Sequence, residues 1–208
     1  RWKYQRFLQD YLACVASVDD SIGQVLEFLD KSGLTENTIV IYSSDQGFFL
    51  GEHGWFDKRF MYEPSLRTPL VVRWPRAIEP GRTESRIVSN VDFAQTFLEL
   101  AGAQKEVTMQ GMSLAPLLKG ESPESWRDDF YYHYYEGLDG AHAVCAHEGV
   151  TTGKHKLIHF YPLKEWELFD LENDPQELNS VWDDPDYSAV KAEMKQRLER
   201  LRGELEVE

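Results

Sequence analysis

The sequence predicts an α/β fold that gives way to a small antiparallel sheet with a C-terminal helix. Three observations carry this expectation. Apolar residues recur at steps of three and four from Tyr4 to Leu29, which is the period of an amphipathic helix. A β-branched run at residues 38–42, Thr-Ile-Val-Ile-Tyr, follows without polar alternation, as in a strand buried on both faces of a parallel sheet. Beyond Ser122-Pro123, short aromatic or β-branched runs alternate with Gly, Pro and charged turns, the pattern of a meander.

The first helix carries Tyr4, Leu8, Tyr11, Leu12, Val15, Val18, Ile22, Val25, Leu26 and Leu29 on one stripe, with Gly33 as its stop. Helix followed by buried strand is half of a βαβ repeat. Residues 70–74, ended by Pro75, read as a second strand, and Ile87-Val88 as a short third one. Residues 92–102 form a helix with an acidic first turn and a Gly stop, and residues 113–118 another short helical segment. The meander strands are expected at 130–135, 143–151, 156–161 and 166–171. The last helix bears Val190, Met194, Leu198, Leu201 and Leu205 on one side, to lie across a face of that sheet.

Composition narrows the function. The chain has 208 residues and a net charge of −14, from 36 acidic and 22 basic side chains. A nucleic-acid partner is not expected, because no basic footprint is available to neutralise phosphates. No apolar run approaches the ~20 residues of a membrane span. The opening Arg1-Trp2-Lys3-Tyr4 leads straight into helix-like sequence without a signal core, as at a cytoplasmic start or a cut inside a longer protein, and the missing initiator Met makes the cut the expectation. Cys14 and Cys145 build neither a disulfide framework nor a thiolate zinc site, and Cys14 reads as a small core residue of the first helix.

Chemistry concentrates after the first strand. Ser43-Ser44-Asp45-Gln46-Gly47 places a carboxylate beside an amide oxygen, two hard donors of the type that calcium and magnesium take. On the pentapeptide alone, a plain strand-to-loop turn explains Asp45 and Gly47 as well. The next residues, 48–59, read Phe-Phe-Leu-Gly-Glu-His-Gly-Trp-Phe-Asp-Lys-Arg. Glycines there allow a tight loop that returns Lys58 to the neighbourhood of Asp45, and its aromatics call for packing against the body. His53 lies in this loop, with packing as ready an explanation as chemistry, and His133, His155 and His159 read as strand or surface positions.

Several motifs in order now resemble the second half of sulfatases, members of the alkaline-phosphatase-like superfamily. They are Ser-Asp-Gln-Gly at 44–47, Gly-Glu-His-Gly at 51–54, Lys58, and Arg-Thr-Pro-Leu-Val-Val-Arg-Trp-Pro at 67–75. Residues 91–96, 111–114 and 166–175 match further segments of that family, so the resemblance covers essentially the whole chain. It implies a partial alkaline-phosphatase-like mixed sheet in residues 1–121, the C-terminal part of a catalytic domain, and an antiparallel-sheet subdomain in 122–208.

The resemblance further implies sulfate-ester hydrolysis, on a sulfated small molecule or glycan, with calcium bound partly by Asp45 and Gln46. Gln46 departs from the commoner Asn or His of that position. Lys58 falls at the lysine that contacts the sulfate group, and is therefore both the catalytic and a substrate-binding candidate. His142 and His147 lie in the turn and strand region where some relatives place substrate-pocket residues, and His142 is the substrate-binding candidate of the two. The family's nucleophile is a formylglycine made from a Cys/Ser-x-(Pro/Ala)-x-Arg motif. Cys14 has Val18 where Arg is needed, so the formylglycine and the remaining calcium ligands are expected upstream, and the isolated chain is expected to be inactive. A phosphodiesterase or phosphonate hydrolase of the same superfamily is the alternative, and a non-catalytic fragment is another. Relatives of this kind are commonly periplasmic or secreted. An uncovered sheet flank also predicts self-association.

Overall fold

The computed structural model describes residues 1–104 and 108–207. Its elements divide between two compact units, one of residues 1–43, 69–82 and 118–120, the other of residues 44–68, 83–117 and 121–208.

The first unit contains helix α1 (Trp2–Lys31) and strands β1 (Val40–Ser43) and β2 (Leu70–Arg73). Helix α1 forms where the three-and-four spacing predicts it. Arg6–Asp10 and Glu27–Lys31 pair one turn apart along it, and Ser32 caps its end before Gly33 turns at φ 67°. Its apolar stripe, however, is open, with Leu29 its one buried residue and Leu12 61% exposed. Cys14 is exposed too, so the expectation of a core thiol there is corrected. Strand β1 pairs antiparallel with β2, Val40 opposite Arg73 and Ser43 opposite Leu70. The parallel, doubly buried strand expected from its composition is thus a half-buried member of an antiparallel pair. β-branched composition reports a fit to pleated structure and cannot distinguish the direction of the partner.

An uncovered stripe of this length is an association hazard. The 208-residue chain is expected to scatter light as oligomers, and Leu12→Glu with Val15→Glu to shift it toward monomer. A wild-type monomer at high concentration would remove this expectation.

The second unit is built on a four-stranded antiparallel meander. Its strands β3 (Phe130–Tyr134), β4 (His147–Thr151), β5 (His155–Phe160) and β6 (Glu165–Asp170) lie in sequence order. The turns set the register: Glu148 faces His159 across β4–β5, and Ile158 faces Glu167 across β5–β6. Short helices α2 (Glu63–Leu66) and α4 (Ala115–Leu118), the longer α3 (Asp92–Leu100) and the final α5 (Ser188–Glu204) complete the chain. Ile87-Val88 is not a strand. The Ile87 carbonyl is engaged by a side chain instead, accepting from Trp126 Nε1 at 2.9 Å, and just beyond it the Ser89 N–H donates to Asp92 Oδ2 at 2.8 Å.

Strand alternation gives the meander two buried faces. Val150, Leu157 and Leu168 point to the side where α5 lays Met194, Leu198 and Leu201, as the helix period predicts. Their neighbours Ile158, Phe160 and Phe169 face the other way, onto Phe49, Met61 and Tyr62 from the loop after Asp45. Gly149 permits that loop's approach, since a Cβ there would lie 2.4 Å from Met61 Sδ and from Leu157 O. Burial of these side chains, at about 1.5–3 kcal/mol for each large apolar one, makes this sheet the platform of the second unit.

Candidate functional site

The loop that follows Asp45 is pinned at several points. Phe49 is buried and meets Trp55 edge-on, while His53 stacks on Tyr62 with ring centres 4.6 Å apart. His53 is therefore part of an aromatic cluster, held with a positive φ of 54° between two glycines of positive φ. Tyr132 Oη donates to Arg59 O at 2.6 Å, and the Met61 N–H donates to His147 Nε2 at 3.2 Å. The Glu63 N–H donates to Glu177 Oε2 at 2.6 Å. Residues 59–63 are thus tied to strands β3 and β4 and to the turn at Glu177.

These ties return Lys58 to Asp45. The ammonium lies 3.3 Å from Asp45 Oδ2, across thirteen residues of sequence. Its hydrogen bond, with its charge, holds the Asp45 carboxyl below the ordinary range. Asp45 is exposed, so its carboxylate remains open to solvent on its other side. Gln46 is turned differently: Nε2 donates to Ser65 O at 2.9 Å and Ser65 Oγ at 2.8 Å. Asp45 and Gln46 both end in the hard oxygen donors that calcium takes, so the pair fits that ion as part of a larger ligand set. Among the described residues, no group of three or more His, Cys, Asp or Glu side chains could hold a metal.

His142 stands apart from Lys58. Its Nδ1 lies 2.6 Å from Glu136 Oε2 and its Nε2 meets Arg59 Nη2, the side chain next to Lys58 in sequence. A guanidinium only donates, so Nε2 is the acceptor and Nδ1 carries the hydrogen toward Glu136. Hydrogen bonds from Tyr134 first and His142 second hold the Glu136 carboxyl at about 2. Arg59 also pairs with Asp57. Glu136, Arg59 and Ser65 escaped the sequence reading because each partner lies 6 to 83 residues away with no shared motif.

His147, by contrast, is structural. It is fully buried, donating from Nδ1 to Cys145 O at 2.8 Å while Nε2 accepts from Met61. Burial pushes its pKa below the ordinary value, and burial lowers His133 and His159 as well. In the unfolded chain a histidine titrates near about 6.5. Below that pH the unfolded state takes up protons that the folded state resists, so stability is complete above it and declines as the pH falls. Urea midpoints are expected to drop between pH 7.5 and 5.5. A flat profile over that window would show that these rings are not held neutral.

No helix of the described residues is long and apolar enough to cross a membrane. Residues 51–204 match the family described as N-sulphoglucosamine sulphohydrolase, C-terminal. An N-acetylglucosamine-6-O-sulfatase of Bacteroides thetaiotaomicron is 51% identical over 204 residues, covering 97% of this chain and 36% of that protein. The N-acetylglucosamine-6-sulfatase of Homo sapiens is 38% identical over 132 residues, covering 62% of this chain and 24% of the relative. A protein solved in complex with its substrate D-glucosamine-2-N,6-O-disulfate superposes with a TM-score of 0.93 at 49% identity, over 97% of this chain and 41% of that one. The phosphonate monoester hydrolase of Agrobacterium radiobacter superposes with a TM-score of 0.81 at 28% identity, over 91% of this chain and 40% of that one. The chain thus spans 36% of the bacterial sulfatase and 24% of the human one. With the α/β elements, the meander and the C-terminal helix in place, this chain belongs to the sulfatases of the alkaline-phosphatase-like superfamily, as a C-terminal part of such an enzyme.

Proposed function

We propose that this chain is the C-terminal portion of a sulfatase that hydrolyses the 6-O-sulfate ester of a glucosamine derivative, aided by calcium. The observation that carries the reading is the 51% identity to an N-acetylglucosamine-6-O-sulfatase along almost the whole chain. Asp45 and Gln46 would supply two oxygen ligands, the remainder coming from outside this chain. Calcium, when bound, polarises the oxygens of the sulfate group.

The chain's own contribution centres on Lys58. Its ammonium, 3.3 Å from Asp45 Oδ2, is held by a loop packed on the meander rather than by solvent. A sulfate ester reaching Asp45's neighbourhood gives that ammonium an anionic partner. Charge developing on the sulfonyl and leaving-group oxygens then meets a preorganised cation, whose orientation requires no further work during the reaction. His142 serves the sugar. Glu136 fixes its tautomer, so a substrate hydroxyl can donate to Nε2 in place of Arg59. The nucleophile, a formylglycine, belongs to the upstream part of the protein.

The test is an assay of the full-length protein and of the 208-residue chain on N-acetylglucosamine 6-sulfate and on an aryl phosphonate monoester. The full-length protein is expected to release sulfate from the sugar and to act far more slowly on the phosphonate; the chain alone is expected to do neither. Preference for the phosphonate would favour the superfamily alternative, and turnover by the isolated chain would overturn the division of labour proposed here.

A further inference from the structure

We propose that Ser65 is a positioning residue for the cation site: it grips the nitrogen end of the Gln46 amide so that Oε1 is the end left for the ion. This inference rests on the calcium reading above and adds to it the reason that a glutamine can serve at this position.

The grip follows from donor and acceptor chemistry. Ser65 O is a carbonyl oxygen and can only accept, so the amide atom 2.9 Å from it is the NH2 group. Ser65 Oγ at 2.8 Å takes that group's second hydrogen. Both amide hydrogens are then engaged, and Oε1 is the remaining acceptor of Gln46. Ser65 O also accepts from Gly47 N at 2.9 Å, so one carbonyl fixes the side chain of residue 46 and the backbone of residue 47. The approach requires glycine: a Cβ on Gly47 would stand 2.1 Å from Pro64 O and 2.7 Å from Ser65 O.

The anchor is itself held. Ser65 is fully buried on the four-residue helix α2, whose first residue, Glu63, is fastened twice. Its N–H donates to Glu177 Oε2, and its carboxylate receives Lys156 Nζ at 2.8 Å. Lys156, buried on β5, also reaches Glu177 Oε1 at 2.6 Å. An ion triad thereby links the meander to the residue that orients the amide. Asparagine is shorter by one methylene, about 1.5 Å. It could not keep both bonds to Ser65 with its oxygen in the same place, whereas the longer arm of Gln46 can.

The experiment measures calcium affinity of the full-length protein by competition with a chelator, together with melting of the calcium-free protein. Ser65→Ala is expected to weaken calcium about tenfold or more, the usual effect of losing an outer partner of a ligand. Ser65→Thr, which keeps the hydroxyl, is expected to stay within about threefold of wild type by the same comparison. Gln46→Glu is the sharpest arm: it adds negative charge but places an oxygen against the Ser65 carbonyl, so weaker binding is expected. Tighter binding by Gln46→Glu would overturn the proposal, as would wild-type affinity in Ser65→Ala with only a lower melting temperature. Asp45→Ala separates the two levels. Unchanged affinity there would sink the calcium reading itself, and lost affinity there with an indifferent Ser65→Ala would sink the positioning role alone.

Discussion

Lys58→Ala in the full-length enzyme is expected to lower turnover of a 6-O-sulfated substrate by about a hundredfold or more. A preorganised donor aimed at developing negative charge contributes about 3–4 kcal/mol, and each 1.36 kcal/mol is a tenfold change in rate. The structure gives the expectation a basis beyond sequence position. Lys58 meets Asp45 because residues 59–63 are fastened to the meander by Tyr132 and His147 and to the turn beyond it by Glu177. The effect is expected in kcat and in KM together, since the ammonium meets the anionic sulfate ester when it binds and the charge that develops during the reaction. Lys154, paired with Glu172 on the surface, is the control, and Lys154→Ala is expected to keep wild-type rates. Arg59→Ala is a separate probe: it frees His142 Nε2 and is expected to alter KM for the sugar more than kcat. Near-normal turnover in Lys58→Ala would remove the residue from the reaction.

Lys156→Met is expected to be the most destabilising single change in the second unit, at about 3–5 kcal/mol. The side chain is fully buried and neutralises Glu177, also buried, and Glu63, which is partly so. Burial pushes the Glu177 carboxyl above its usual range, and Lys156 pulls it back. Removing the ammonium strands the Glu177 carboxylate in a poorly solvating interior and takes a partner from the partly buried Glu63, which costs far more than the hydrogen bonds alone. Replacing Lys156, Glu63 and Glu177 together by apolar residues of similar size is expected to recover much of the loss, because desolvation of the charges then vanishes as well. Urea melts of the single and triple variants measure both numbers. A Lys156→Met melt no different from that of Lys154→Ala would refute the buried triad.

The sequence by itself determined the elements whose signal is local. The three-and-four stripe of α1 and α5, the meander runs between their turns, and the Ser-Asp-Gln-Gly and Gly-Glu-His-Gly motifs were all legible, because period and turn chemistry act over a few residues. Those motifs also carried the family. Strand direction was not legible. A run such as Val-Ile-Tyr-Ser in β1 fits a pleated surface in either orientation, and its antiparallel pairing with β2 depends on residues 27 to 33 positions away. Nor did helical period tell what covers it: the stripe of α1 has the right spacing, yet Leu12 and Cys14 are exposed.

Tertiary structure decided most of the company that the candidates keep. The return of Lys58 to Asp45, expected from the glycines of the loop, was secured by ties from three directions, and the Gln46 amide was oriented by Ser65, nineteen residues on. His142 was joined to Arg59 across 83 residues, while His147, similar to it on paper, became a buried brace for the loop. Lys156, one of a short basic cluster in the sequence, became a core ion once two glutamates closed on it. The physical reason is common to all of them. A polar side chain takes its role from the donors, acceptors and charges that folding brings within about 3 Å, and those come from anywhere along the chain.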